Sequence, residues 1–319
     1  MKQIYTYGGY LKEKFGCKVY KVGINISGFT CPNIDGTVAK GGCTFCENDS
    51  FSASTDEVRA LKGFHLNLDS KENPYLEKQL LQLEQQFYAI SKRQSSEYGA
   101  EKFLVYFQSF TNTYAPFETL KALYEKALSF PNVVGLSIGT RSDSITDETL
   151  KYLSELNKDK EIWIEFGIQS VYDKTLDRIN RGHSSDNVKE WIIKSKEAGL
   201  HVCGHLIFGL PDETQEMMLE TSSQAYAWGI DSVKYHPLYV VKRTALANEF
   251  TRGEFTPITE EEYLNILVKS IEMKPEHVHV QRVTAGIDDD SLLAPQWCRN
   301  KNIQIKNINS ALKAKGLKY

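Results

Sequence analysis

The chain has 319 residues, 41% hydrophobic and 25% charged, with a net charge of −3 and six cysteines, a composition that describes an ordinary globular protein able to bury a sizeable core. No apolar run is long enough to span a bilayer, and the opening MKQIYTYGGYLKEKFG lacks the apolar centre of a signal peptide, so no membrane role and a cytoplasmic location are expected. In that compartment thiols stay reduced, and clustered cysteines point to metal or catalysis more often than to disulfides.

Taken in chain order, short runs of β-branched and aromatic residues alternate with longer amphipathic segments, the pattern of βαβ units in a parallel sheet. Strands are predicted at residues 19 to 27, 102 to 109, 133 to 139, 161 to 169, 201 to 208 and 232 to 238. Helices are predicted near 74 to 93, 117 to 129, 147 to 157, 172 to 180, 185 to 198 and 214 to 228. Thr146, before Asp147 and Glu148, is an N-cap signal, and Gly199 sits where a helix-ending glycine belongs. Six such units predict a curved sheet, open and doubly wound or closed into a partial barrel, and both collect ligands at the C-terminal strand ends. The polar and glycine-rich segments fall at those ends: 27 to 46, QSFTNT (108 to 113), GTRSD (139 to 143), Gln169 with Ser170, GLPDET (209 to 214) and YVVKRT (239 to 244). The expected organisation is an N-terminal basic extension over 1 to 18, a core over 19 to 246, and an α/β extension over 247 to 319. That extension carries a helix (260 to 273), a strand-like HVHVQRV (277 to 283) and a basic tail.

Charge is unevenly spread. Residues 298 to 319 hold Arg299, Lys301, Lys306, Lys313, Lys315 and Lys318 with no acid, and residues 1 to 21 hold five lysines against Glu13. If the two ends lie together they form one phosphate-binding surface; otherwise they are solvated, lysine-decorated ends.

The segment TCPNIDGTVAKGGCTFCENDSF, directly after the first strand, holds Cys31, Cys43 and Cys46 in C-x11-C-x2-C spacing. Three thiolates fit zinc with a distant fourth ligand such as His65, or an iron-sulfur cluster with one iron left open. Unligated thiols are disfavoured in so polar a loop. Phe45 and Phe51 are positioned to shield a cluster. Cys17, Cys203 and Cys298 are scattered singly, and His277 and His279 share one face of a strand, read as solvated.

A three-cysteine loop after the first strand of a six-unit core resembles the radical S-adenosylmethionine (SAM) enzymes. The wide first gap resembles the YhcC/YtqA-like family and the Elongator catalytic subunit. EFGIQSVYDKTLDRINRGHS (165 to 184) is similar to the fourth-strand signature of the Elongator-like and coproporphyrinogen-oxidase-like branches, and HLIFGLPDET (205 to 214) and VKYHPLYVVKRTAL (233 to 246) resemble their fifth and sixth. VQRVTAG and LLAPQW are similar to the YhcC-like tail. The resemblance implies an α/β fold built as a partial (β/α)6 TIM-type barrel, the radical SAM core. It also implies a 4Fe-4S cluster on Cys31, Cys43 and Cys46, with SAM on the open iron.

For SAM the resemblance implies contacts from Gln108, Ser109 and Thr111, where family glycines are missing, and from Gln169 and Arg181. A guanidinium suits a carboxylate through paired hydrogen bonds. His205 stands where the related branch has an aspartate, Gly209 in the turn beside adenine, and Arg141 where a carboxylate often sits. Arg141, Lys242, Arg243 and Arg282 are the expected substrate contacts. The implied activity is reductive SAM cleavage in tRNA wobble-uridine maturation, converting 5-carboxymethylaminomethyl-uridine to 5-aminomethyl-uridine. It would draw electrons from a donor such as flavodoxin or ferredoxin and hand its product to a methyltransferase. The alternatives are a radical SAM enzyme on a small-molecule or tetrapyrrole substrate and a zinc-dependent nucleic-acid-binding protein.

Overall fold

The computed structural model describes residues 1–47, 66, 68, 70, 72–287 and 289–319, so His65 and Phe51 lie outside the described residues. Strand β1 (Lys2–Gln3) and helix α1 (Tyr7–Phe15) precede the first core strand, β2 (Val19–Ile24). The expected strand runs to residue 27, but it ends at Ile24 for a specific reason. Helix α2 (Pro32–Asp35) and helix α3 (Leu76–Tyr98) follow, and α3 presents buried Gln79, Gln82 and Gln86 to the chain leaving β2. Gln86 accepts from the Asn25 amide and donates to its carbonyl, Gln82 accepts from the Ser27 amide, and Gln79 donates to the Ser27 carbonyl. Side-chain amides thus replace a neighbouring strand and keep this buried backbone hydrogen-bonded.

The alternation then runs as expected. Strand β3 (Lys102–Phe107) is followed by α4 (Phe117–Leu128), β4 (Val133–Thr140) by α5 (Asp147–Leu156), and β5 (Glu161–Gln169) by α6 (Asp173–Arg178) and α7 (Ser185–Glu197). Strand β6 (His201–Phe208), α8 (Gln215–Ala227) and β7 (Ser232–Pro237) complete the six predicted units. Thr146 caps α5 by accepting from the Thr149 amide, and Gly199 follows α7 with φ 82°, a conformation that favours glycine. Beyond these come β8 (Val240–Val241), α9 (Ala245–Thr251), α10 (Glu260–Glu272), β9 (His279–Arg282), β10 (Leu292–Ala294), α11 (Lys301–Ala314) and β11 (Leu317–Lys318).

The main sheet is wholly parallel in the order β2-β3-β4-β5-β6-β7-β9 and curls into a half-barrel. The six predicted strands are joined by a seventh, because β9 pairs with β7 through Ser232↔His279, Val233↔Val280 and Lys234↔Arg282. Strand β9 follows β7 only after β8, α9 and α10, and its sequence says nothing of its partner. In β5, Ile162, Ile164, Phe166 and Ile168 belong to the main apolar core, whereas the alternating Trp163 and Glu165 face the lumen with α1 and the charged network described below. The edge strands β2 and β9 leave the barrel open on one side, and Lys21 of β2 reaches across to Gln281 of β9 at 2.7 Å.

Helix α1 plugs the N-terminal end of the barrel. Tyr7 meets Trp163 edge-on at 4.9 Å, Trp163 stacks on His201 at 4.8 Å, and Tyr10 lies 4.4 Å from His279. His279 is therefore buried in an aromatic plug, and the solvated histidine pair expected from HVHVQRV reduces to the exposed His277. The basic termini do lie together, since β1 pairs in parallel with β11. They sit beside the start of β9, where Lys2 meets Glu276, at the barrel end away from the cavity described next.

Candidate active site

One cavity of about 500 Å³ opens at the C-terminal ends of the strands. Its wall includes Cys31, Cys43 and Cys46 from the loop after β2, Gln108 and Thr111 after β3, and Arg141 after β4. Gln169, Arg181 and His205 complete the expected residues found there, while Glu165 and Tyr106 form a floor the sequence reading did not single out. Ser109 and Gly209 are not in the wall; Gly209, at φ 91°, packs so closely on Ile258 that a Cβ would lie 2.8 Å away. Lys242 and Arg243 are exposed outside it, with Arg243 paired to Glu47 at 3.2 Å, and Arg282 stands on edge strand β9.

The cysteine loop is clamped from across the barrel by the turn after α6. Asn33, fully buried, donates to the Asn180 carbonyl at 2.5 Å and to the Arg181 carbonyl at 2.9 Å, with Cys43 Sγ 3.6 Å from the same amide. Asn180 answers by donating to the carbonyls of Lys40 and Gly42. The loop follows this course because Gly41 and Gly42 are consecutive left-handed residues at φ 85° and 77°, where a side chain would be strained. Cys46, half-buried, lies beside Cys43 and Cys31, and its thiol is pushed up to about 12 by desolvation and then by those two neighbours, with Arg181 opposing.

Arg181 and Gln169 converge on Gly167. A Cβ there would stand 2.7 Å from both Arg181 Nη2 and Gln169 Nε2, so any side chain at this position would displace both tips. Arg181 Nη1 lies 3.7 Å from Cys43 Sγ, and Gln169 turns into the site through a left-handed backbone at φ 65°. Arg141 is gripped by both oxygens of Asp143 and donates to the Arg181 carbonyl. Three polar atoms here, Arg181 Nε, Arg141 Nη1 and Gln169 Oε1, are buried without a hydrogen-bond partner among the described residues. Buried polar atoms are seldom left so, and three around one cavity mark a ligand site.

Residues 35–225 match the Radical SAM superfamily, and residues 230–314 match the Radical_SAM C-terminal domain. The chain belongs to the radical SAM superfamily. It is 34% identical to YtqA of Bacillus subtilis over 319 residues, 99% of this chain and 91% of that protein. It is 36% identical to YhcC of Escherichia coli over 94% of this chain and 89% of that protein, which makes it a member of the YhcC/YtqA-like branch. A tRNA uridine(34) acetyltransferase of Methanocaldococcus infernus matches over 157 residues at 29% identity, covering 48% of this chain and 29% of that protein. The solved structure of Elp3 from the same archaeon, lacking its N-terminus, superposes with a TM-score of 0.60 at 19% identity over 94% of this chain and 64% of that one, which shows the shared fold.

Radical SAM enzymes use a 4Fe-4S cluster and SAM. The cavity suits both. Three thiols brought together in one loop disfavour one another as anions, a cost that the positive iron-sulfide core of a cluster removes. The unpartnered Arg181 Nε, Arg141 Nη1 and Gln169 Oε1 beside them suit the polar groups of an amino acid cofactor. When bound, the cluster and SAM supply a 5'-deoxyadenosyl radical able to take hydrogen from an unactivated carbon.

Below the thiols lies a buried charged network. Glu165 accepts from Lys21 at 2.5 Å, Ser137 at 2.6 Å and His205 Nε2 at 2.8 Å, and it also pairs with Lys234. Lys21 and Lys234 hold its carboxyl well below the usual range against burial. His205 is driven down to about 4 by burial and then by Lys234, and Lys234 itself to about 8 by burial. His205, expected as a cofactor contact, thus has one ring nitrogen committed to Glu165. Lys21, Glu165 and Lys234 are charged residues within otherwise apolar strands, a sequence signal for side chains that turn away from the apolar core. Cys203 lies in this layer as a buried thiol pushed up to about 12, by burial above all, and Cys298 is buried elsewhere. Among the described residues no helix is long and apolar enough to cross a membrane.

Proposed function

We propose that Cys31, Cys43 and Cys46 ligate the cluster, that Gln169 and Arg181 bind the amino acid end of SAM with Gln108 and Thr111 alongside, and that the substrate is the wobble uridine of tRNA. The carrying observation is the convergence of Arg181 and Gln169 on Gly167 with Arg181 beside Cys43, which puts unpartnered donors and an acceptor next to the thiols. His205 borders the same cavity. Ser109 and Gly209 are not part of the wall and would act through the backbone they shape.

The tRNA reading is supported by the partial match to a protein named as a tRNA uridine(34) acetyltransferase. A base flipped out of an anticodon loop suits a deep cavity whose reactive group lies below its rim. The exposed Lys242 and Arg243 at the rim are suited to the RNA backbone; the basic termini are remote from it. The reaction is conversion of 5-carboxymethylaminomethyl-uridine to 5-aminomethyl-uridine, with flavodoxin or ferredoxin as electron donor and a methyltransferase taking the product. Deleting the gene and surveying tRNA nucleosides by mass spectrometry tests this: the carboxymethylaminomethyl nucleoside should accumulate, and an unchanged profile would rule out the tRNA substrate.

A further inference from the structure

Three neighbouring strands carry His205, Lys234 and Arg282 side by side, since His205 is in register with Lys234 and Lys234 with Arg282. Lys21 and His236 stand close by: Lys21 binds the same carboxylate as Lys234, and the His236 ring lies 6.0 Å from that of His205. Against the three cationic side chains Lys21, Lys234 and Arg282, the only carboxylate in this layer among the described residues is Glu165. Its oxygens are already occupied by Lys21, Lys234, His205 and Ser137. Nothing remains for Arg282, whose guanidinium, half-buried, has no hydrogen bond or ion pair among the described residues. His236 likewise has no hydrogen-bond partner among them, and burial and then the Arg282 charge hold its imidazole well below the usual range.

A buried or half-buried excess of positive charge is costly unless an anion enters to balance it. We infer that Arg282 and His236, backed by Lys234, form a pocket for a carboxylate of the substrate, on the side of the lumen across from the cysteine loop. A divalent cation is the wrong occupant. Glu165, Cys203 and His205 do bring ligand atoms within 4.8 Å of one another, but two ammonium groups already sit on that carboxylate. A phosphate dianion is also disfavoured, because its second charge meets more repulsion from Glu165 than the single charge of a carboxylate does. A planar carboxylate matches the guanidinium fork. For the substrate's identity the inference rests on the wobble-uridine reading, in which the base carries an N-alkylated glycine and the carboxymethyl group removed from its nitrogen bears one carboxylate.

Pocket and reading can be tested separately. Binding of N-benzylglycine and of its neutral carboxamide to the reconstituted protein is measured by calorimetry, for the native chain and for Arg282→Gln. The native protein should prefer the carboxylate by about tenfold, the worth of one charged hydrogen-bonded contact, and Arg282→Gln should bind both like the carboxamide. Equal binding of the two compounds by the native protein, binding of neither, or a preference retained in Arg282→Gln would overturn the pocket. Binding of an anticodon stem-loop carrying the carboxymethylaminomethyl base is measured alongside. If N-benzylglycine binds as expected and the stem-loop does not, the pocket stands and the tRNA reading fails.

Discussion

Arg181 Nη1 stands 3.7 Å from Cys43 Sγ, with Nη2 of the same guanidinium donating to the Gly167 carbonyl at 3.1 Å. A single side chain therefore ties the cysteine loop to the end of β5 and still has a buried Nε free of any partner among the described residues. Replacing Arg181 by lysine keeps the charge and removes the fork. SAM affinity, read by equilibrium dialysis, should fall by about tenfold or more, roughly 1.4 kcal/mol, with iron content unchanged. Unaltered affinity would remove Arg181 from the binding site.

Gly167→Ala should produce the same loss from the opposite direction. Its Cβ would lie 2.7 Å from the tips of both Arg181 and Gln169 and push them apart. Overpacking of this sort costs about 1 to 3 kcal/mol. SAM binding should drop further than thermal stability, which calorimetry and dialysis on one preparation will separate.

Asn33→Ala should loosen the cysteine loop. The fully buried amide donates to two carbonyls of the 180–181 turn, and losing it leaves those acceptors unsatisfied at about 1 to 3 kcal/mol. Iron bound per chain after anaerobic reconstitution should decrease while the far-UV circular dichroism stays native. Full iron loading would show that the clamp is dispensable.

Stability should decline on mild acidification, with His279 in the aromatic plug contributing alongside His205 and His236. Burial lowers the His279 imidazole to about 4, against about 6.5 in an unfolded chain. Between those values the unfolded chain binds more protons, so this contribution is fully present above about pH 6.5 and is lost as pH falls toward 4. Urea midpoints taken at pH 7.5, 6.5 and 5.5 should fall, and His279→Gln should make the slope shallower. An identical slope in the variant would assign the pH dependence to other groups.

Much of this was legible in the sequence, and the exceptions share a cause. Strands 161 to 169 and 201 to 208 match the observed bounds, and the cysteine loop, Gln169, Arg181, Arg141, Gln108, Thr111 and His205 do meet at one cavity, because periodicity and loop position are local properties. What escaped was long-range. The glutamine ladder of α3 and the pairing of β9 with β7 join segments tens of residues apart, and the Asn33 clamp on residues 180–181 joins segments more than a hundred apart. Glu165 and Lys234 were visible as charges in apolar strands, but only the curl of the sheet reveals that they meet one another and His205. The basic ends do pair, and only the topology shows that they do so away from the cavity.

The most direct test of the account is anaerobic reconstitution followed by reduction in the presence of SAM. The native protein should hold about four irons and four sulfides per chain and release 5'-deoxyadenosine, and Cys43→Ala should lose both together. A protein that takes up no iron and sulfide, or that holds them and never yields 5'-deoxyadenosine, would contradict the account.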